Sequence, residues 1–254
     1  MKNFDRYNLN LLIKGFDYFS PQEITDEIYN VDNLRLSLDF TKYSKKAKDS
    51  VIDEWMALLP KLKNVKNVLL MYPKNQEFFS AVCKMVQLES LFLSSLKVDD
   101  LAPLSNLRNI NRLVIDSCHQ LKRIYPITEL KTIEYLTVEN CFNIDDLELI
   151  GQMTGLKALC LTGDQFAPKR LRLPSLKPFS NLKQLKHLNL PATSIIDKSY
   201  DVILEMPELE RFDITGSINP SVVDFIKSNH PSLKAGFFVD WDYANKKIYE
   251  GKEW

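Results

Sequence analysis

The amino-acid sequence predicts an α/β solenoid with the shape of a curved, right-handed horseshoe. We expect a parallel sheet of about eight or nine strands on the concave face, with short helices and 3-10 turns on the convex face. The main observation is a six-residue pattern with apolar residues at its first, fourth and sixth positions. Its eight copies begin at Val65, Leu88, Ile110, Ile133, Leu156, Leu185, Leu209 and, in degraded form, Leu233. The starts lie 23, 22, 23, 23, 29, 24 and 24 residues apart, and such a regular period marks a repeat architecture.

The 254 residues are predicted to form one domain, because the core of a solenoid grows along its axis and escapes the size limit of a globular core. Residues 1–64 are interpreted as an N-terminal helical cap with one divergent repeat, 65–236 as regular repeats and 237–254 as a C-terminal cap hairpin. Such caps are needed because a bare terminal repeat would expose its core.

The N-terminal cap contains signals for helices and for one strand. Residues 20–23, Ser-Pro-Gln-Glu, combine a capping box with a proline at the first helical position, which predicts a helix through Tyr29. The sequence VDNLRL from Val31 fits the repeat pattern, and alternating apolar residues up to Phe40 predict a strand. A second helix is predicted from the apolar face formed by Val51, Ile52, Trp55, Leu58 and Leu59.

Within each copy, the fourth and sixth positions point to one side of a strand, toward the core, and the fifth points to the other side. Position 9 holds a small side chain in five copies: Cys118, Cys141, Asp164, Thr193 and Ser217. Such side chains can form hydrogen bonds with the backbone where it leaves the strand. In this feature the chain resembles the leucine-rich repeat superfamily. A metal or redox pair formed by Cys118 and Cys141 is the alternative, but the two lack a CxxC spacing, which favours the structural interpretation.

The segments that return the chain between strands also repeat. Pro103, Pro126 and Pro178 each lie seven residues before a copy, within LAPLSNL, IYPITEL and LKPFSNL. Proline suits the first turn of a helix and interrupts a longer one, so these segments are predicted to form single, 3-10-like turns. They resemble the returns of internalin-type repeats. The later returns, 197–206 and 219–229, have apolar spacings of three and four and are predicted to form true helices.

The longest repeat contains an insertion, residues 163–175, and the chain ends in an alternating apolar segment. Lys169, Arg170 and Arg172 form a basic cluster in the insertion, which we interpret as a solvated excursion. The alternative is contact with an acidic protein or with nucleic acid. Residues 237–254 are predicted to form a hairpin that covers the sheet edge. Its aromatic residues are interpreted as cap packing: Trp241, Tyr243 and Tyr249.

Composition excludes several functional classes. Basic and acidic residues number 33 each, so the formal charge is zero, which argues against a general nucleic-acid or membrane-surface binder. The apolar stretch Leu9–Ile13 is too short for a secretory signal, and no segment has the roughly 20 apolar residues of a membrane span. We therefore expect a cytoplasmic protein. Its cysteines are expected to be thiols: Cys83, Cys118, Cys141 and Cys160.

The third, fifth and seventh positions are predicted to form the concave face and to bind a partner. The side chains concerned are Leu69, Met71, Phe92, Val114, Asp116, Tyr135, Glu139, His187, Arg211 and Asp213. The face should be apolar and exposed toward the N-terminal half, acidic in the middle and mixed polar toward the C-terminus. Two alternatives stay open. The apolar residues could reflect strand propensity alone, or the N-terminal cap could fold over Leu69 and Met71.

The resemblance to leucine-rich repeat proteins implies a non-enzymatic module that binds another protein. An inhibitor or immunity-type protein and an adaptor or scaffold are both compatible with it, and we expect a monomer without cofactor or metal. The alternative of a hydrolase would use Asp116, Glu139 and His187, although no known catalytic motif is present. The alternative of nucleic-acid binding would use Lys169, Arg170 and Arg172.

Overall fold

The computed structural model describes residues 17–19, 24–37, 44–71, 76–164, 169–216 and 218–240. The chain divides into two compact units. The first contains residues 1–133 and 143–147, and the second contains residues 134–142 and 148–254. Parallel strands joined by short helices and 3-10 turns build both units.

The described strands of the first unit all run parallel, in chain order. They are Asp17–Phe19 (β1), Asn33–Ser37 (β2), Asn67–Met71 (β3), Ser90–Ser94 (β4) and Arg112–Asp116 (β5). β2 arises from the divergent repeat and pairs in register with β3, with Arg35 opposite Leu69. β1 is an additional strand at the edge that the repeat pattern did not predict.

The second unit contains a larger parallel sheet and a two-stranded one. Its strands are Tyr135–Glu139 (β6), Ala158–Thr162 (β7), Leu171–Leu173 (β8), His187–Leu190 (β9), Thr193–Ile195 (β10), Arg211–Ile214 (β11) and Ala235–Gly236 (β12). The larger sheet has the order β6, β7, β9, β11, β12, and β8 pairs with β10 in the small one.

The six-residue pattern accounts for the core. Every copy begins two residues before a strand, so its fourth and sixth positions fall on the strand's core side. In the first copy Val65, Val68 and Leu70 are at most 1% exposed. The predicted fold, an α/β leucine-rich repeat solenoid with parallel strands and short returns, is confirmed.

The returns are short, as proline predicts, but the return around Pro126 is a single α-helical turn where a 3-10-like turn was predicted. The α-helices are Lys45–Leu58 (α1), Gln76–Val82 (α2), Tyr125–Thr128 (α3) and Pro220–Asn229 (α4). The 3-10 segments are Asp26–Asn30, Leu59–Lys61, Ala102–Asn106, Leu147–Gln152, Lys177–Asn181 and Asp201–Glu205. Among the described helices, none combines the length and apolar character required to cross a bilayer.

One predicted return helix and one predicted cap helix are 3-10 segments instead. Residues 201–205 were predicted to be α-helical, but Pro207 disfavours helical geometry at Met206, whose ψ is 79°, and the segment ends there. The predicted helix through Tyr29 is the 3-10 segment Asp26–Asn30, held by a 2.7 Å bond from Asn64 Nδ2 to the Tyr29 carbonyl. The capping box at 20–23 lies outside the described residues.

Aromatic side chains pack α1 and the last described residues. In α1, Ser44 Oγ accepts a hydrogen bond from the Ala47 amide, and Trp55 is fully buried. Residues 237–240 form a turn, and Phe238 stacks on Phe212 with ring centroids 5.2 Å apart. The rest of the predicted terminal hairpin, including Trp241, Tyr243 and Tyr249, lies outside the described residues.

Candidate protein-binding surface

Strand register in the second unit aligns polar side chains into rows on the sheet side that faces away from the core. The central row consists of position-5 residues: Thr137, Cys160, Asn189 and Asp213. The position-3 row consists of Tyr135, Ala158, His187 and Arg211. With Glu139, these rows form what we call the polar face. Most of its side chains are half-buried, between neighbouring strands of the sheet.

An ion pair is already formed on the polar face. Arg211 Nη2 donates to Asp213 Oδ1 at 3.1 Å, and Arg211 Nε donates to Asp213 Oδ2 in a second bond. The hydrogen bond that Arg211 donates to Asp213 raises the pKa of Arg211, so the guanidinium stays charged. The two side chains are 34% and 30% exposed. A fork-like pair of this kind fixes both charges in direction.

The two groups that could titrate near neutral pH are held uncharged. Burial, together with Glu139 and Asp213, raises the pKa of the Cys160 thiol to about 12. Burial, followed by the charge of Arg211, lowers the pKa of His187. At neutral pH the face therefore carries a thiol and a neutral imidazole, and Cys160 is not a thiolate nucleophile.

Stability of the second unit should depend on His187 at acidic pH. The pKa of His187 is 6.5 in the unfolded chain and lower in the folded one. At pH values between these two pKa values, the unfolded state therefore binds more protons than the folded state. The contribution of His187 is fully present above pH 6.5 and is lost as pH falls through the folded pKa. The free energy of unfolding of His187→Gln, measured by denaturant titration, should decrease less steeply with falling pH than that of the native chain. Gln152→Ala, which changes an exposed residue without a titratable group, should leave the slope unchanged, and equal slopes for all three would contradict the assignment.

The apolar part of the predicted surface is not exposed. Leu69, Phe92 and Val114, which we call the apolar row, are 4%, 3% and 5% exposed. They form a cluster of their own on the sheet, and half-buried Met71 packs against it. Arg35 Nη2 lies 3.8 Å from Met71 Sδ. The expected exposure of this strip is wrong, because a second small hydrophobic cluster forms on this face; partner binding by these residues stays a prediction.

Strand geometry separates the residues of the hydrolase alternative. Asp116 accepts hydrogen bonds from Ser94 Oγ at 2.8 Å and from Ser117 Oγ at 2.7 Å. In the second unit, His187 lies level with Tyr135, two strands away, and Glu139 lies four residues further along β6. These steps amount to about 13 Å along the strand and about 10 Å across it. Glu139 and His187 therefore do not share one proton-transfer site.

No metal centre is indicated within the described parts of the chain, where no cluster of three potential ligands occurs. Cys118, Cys141 and Thr193 have the structural role that the position-9 spacing favoured, whereas Ser217 lies outside the described residues. Cys118 Sγ donates to the Asp116 carbonyl at 3.3 Å, and Cys141 Sγ donates to the Glu139 carbonyl at 3.1 Å. Thr193 Oγ1 bonds the Leu161 carbonyl at 2.8 Å.

The backbone conformation at position 8, the residue just before position 9, was missed by sequence reasoning. Ser95, Ser117, Asn140 and Ala192 all occupy it with φ between 45° and 58°. A left-handed residue turns the chain out of these four strands, and this conformation is unfavourable for large side chains. The signal was present as a column of small residues, but Ser and Ala do not themselves predict positive φ.

The described residues 169–175 of the insertion make more contacts than the predicted solvated excursion would. Its residues 171–173 form β8, paired with β10. Arg170 Nη2 donates to the Thr193 carbonyl at 2.5 Å and to Thr215 Oγ1 at 3.2 Å, and Nε donates to Ser194 Oγ at 2.8 Å. Lys169 Nζ lies 3.9 Å from the centroid of the Phe142 ring. Two of the three basic residues thus hold the insertion in place, which weakens the nucleic-acid alternative.

Arg170→Ala should destabilise the second unit by about 1–2 kcal/mol, because it leaves the carbonyls of Thr193 and Thr215 without this donor. The urea midpoint measures the effect. Arg172→Ala, an exposed charge in the same insertion, is the matched control and should change the midpoint little. Equal effects of the two substitutions would show that Arg170 has no special structural role.

The repeat register, the left-handed exits and the proline-containing returns define the leucine-rich repeat fold. Internalin C2 from Listeria monocytogenes is similar in structure, with a TM-score of 0.51 and 21% identity, over 62% of this chain and 64% of that chain. Less than two thirds of that protein is therefore covered, and the likeness shows the fold alone. No protein-family model matches the chain, and no curated protein matches it.

Two further solved structures are more distant. An internalin from Listeria monocytogenes has a TM-score of 0.42 and 18% identity, over 71% of this chain and 63% of that chain. A leucine-rich repeat protein from Leptospira interrogans has a TM-score of 0.43 and 15% identity, over 86% of this chain and 69% of that chain.

Proposed function

We propose that this chain is a non-enzymatic module that binds another protein through the polar face of its second unit. The observation that supports the proposal is the row of half-buried polar side chains, with the Arg211–Asp213 pair already formed beside it. Solenoids present such extended sheet surfaces to partners, and leucine-rich repeat folds are generally protein-interaction modules. The uncharged states of Cys160 and His187 fit a recognition surface better than a catalytic one.

The chemistry of the polar face indicates how a partner would be selected. Its charges are fixed and few, so recognition would rest on hydrogen bonds and matched charges more than on buried apolar area. We propose an inhibitor or immunity-type protein, or an adaptor, that acts as a monomer in the cytoplasm. A partner of either kind would bind as a folded protein whose polar groups complement Arg211, Asp213 and Glu139.

Affinity capture with the full chain tests this proposal. The native chain should retain a specific protein from its own cell extract, and Thr137→Arg should lose it because the larger side chain obstructs the centre of the polar face. Gln152→Arg adds the same charge at an exposed position in a return and should keep the captured protein. Retention of the same protein by Thr137→Arg at native yield would contradict the proposal.

A further inference from the structure

The tight turns that precede β3, β4 and β5 present equivalent side chains to solvent. The amides of Lys63, Val86 and Arg108 each donate to the carbonyl two residues earlier, at 2.9, 3.0 and 3.1 Å. Each of these residues lies two positions before a copy of the repeat pattern. All three are exposed, and Val86 is 50% exposed. Because their strands are neighbours in the sheet, the three side chains follow one another in steps of about 5 Å.

Side-chain amides hold these three turns against one another. Gln87 Nε2 donates to the Leu62 carbonyl at 2.7 Å, which joins the second turn to the first. Asn109 Nδ2 donates to the Val86 carbonyl at 3.1 Å, which joins the third turn to the second. The row of exposed side chains therefore stands on a cross-linked backbone, which has little conformational freedom left to lose when a partner binds.

Positive charge surrounds the exposed valine. The turn segments 59–66, 82–89 and 104–111 contain one acidic residue, Glu89, and five basic ones: Lys61, Lys63, Lys66, Lys84 and Arg108. Lys66 pairs with Glu89 at 3.5 Å, whereas the other four cations form no ion pair with any residue that the structure describes. These four cations and Val86 are what we call the basic patch.

The positive charge is particular to the first unit. The corresponding segments before β7, β9 and β11 of the second unit are 150–157, 179–186 and 203–210. Their basic residues, Lys157, Lys183 and Lys186, are matched in number by the acidic residues Glu205, Glu208 and Glu210. The same edge of the repeat is therefore balanced in the second unit and basic in the first.

Acidic residues limit the basic patch on both sides. The turn before β2 carries Asp26 and Glu27, and the return that follows β5 carries Glu129. A long polyanion such as a nucleic acid would run past the patch and meet these carboxylates, which repel it. A short acidic segment would not. The patch therefore favours a partner whose negative charge is confined to a few residues.

The spacing of the row indicates the form of that segment. Side chains three or four residues apart on a helix lie about 5–6 Å from each other, close to the step between neighbouring turns here. We propose that the basic patch binds a short acidic helix of a partner protein. Carboxylates of that helix would lie opposite Lys63 and Arg108, with an apolar side chain opposite Val86. The inference goes beyond the proposed function and does not rest on it, because the polar face belongs to the second unit.

Fluorescence anisotropy with the full chain tests the proposal. The probe is a labelled, stapled, alanine-based helix that carries Glu, Leu and Glu on successive turns of one face. Lys63→Glu/Arg108→Glu should weaken its binding roughly 20-fold or more, because both charge contacts become repulsive. Lys45→Glu/Lys46→Glu makes the same charge change in the exposed first turn of α1 and should stay within about threefold of the native chain. Val86→Ser should weaken binding about threefold, because it removes the apolar contact.

Any of four results would overturn the proposal. They are no binding of the probe by the native chain, equal losses in the two double variants, equal binding of a probe with alanine in place of leucine, and tighter binding of oligothymidylate than of the probe. The last would assign the basic patch to nucleic acid. The urea midpoint of Lys63→Glu/Arg108→Glu shows whether the variant is folded. If that midpoint falls, Lys63→Gln/Arg108→Gln takes its place and should still weaken binding about fivefold or more. Native affinity in that variant would contradict the proposal.

Discussion

Gly151→Ala is expected to destabilise the second unit by about 3 kcal/mol or more, since the added methyl group meets backbone. A Cβ at this position would lie 1.9 Å from the Pro178 carbonyl oxygen and 2.7 Å from the carbonyl carbon. Gly151 belongs to one 3-10 return and Pro178 to the next, so the two returns pack backbone against backbone. Neither can move without shifting the strand that follows it.

The free energy of unfolding, from urea titration followed by circular dichroism, measures this effect. Gln152→Ala changes the neighbouring, exposed residue and should stay within about 0.5 kcal/mol of the native chain. A stable Gly151→Ala variant would show that the two returns do not approach as closely as the structure indicates.

Arg211→Glu is expected to weaken partner binding by about 100-fold. The substitution replaces a fixed guanidinium with a carboxylate beside Asp213 and Glu210, and it removes both hydrogen bonds to Asp213. The polar face then loses its ion pair and carries several negative charges close together. Calorimetry with the purified partner measures the change in affinity.

Lys177→Glu is the control for this substitution. It makes the same charge change in the same unit, but in the exposed return Lys177–Asn181. Its affinity should stay within about threefold of the native chain, apart from a salt-sensitive effect on the association rate. Equal losses for Arg211→Glu and Lys177→Glu would attribute the effect to net charge and remove the polar face from the account.

The sequence was sufficient for the parts of the fold that follow from local pattern. Period and apolar spacing predicted every strand from β3 to β7, together with β9, β11 and β12. This was possible because positions 4 and 6 are buried and therefore require apolar residues. The β8–β10 pairing was not predicted. It is accompanied by hydrogen bonds from Arg170 to residues far along the chain, and no periodicity encodes such contacts.

The sequence predicted which side chains share a sheet face but not how accessible they are, and their role in partner binding stays a prediction. Position 5 correctly placed Leu69 and Asp213 on the same kind of sheet face, yet one is 4% exposed and the other is half-buried. Exposure depends on what packs over a face, and that is a tertiary property. The formation of the Arg211–Asp213 pair was also beyond sequence reasoning, since two charges at positions 3 and 5 of one strand need not meet.

Hydrogen exchange of the complex tests the central claim most directly. Amide protection is compared, by mass spectrometry, between the full chain alone and the full chain with its captured partner. The account predicts that peptides covering β6, β7, β9 and β11 gain protection, while α4 and the return Lys177–Asn181 do not change. Added protection confined to the returns, with none in these four strands, would contradict it.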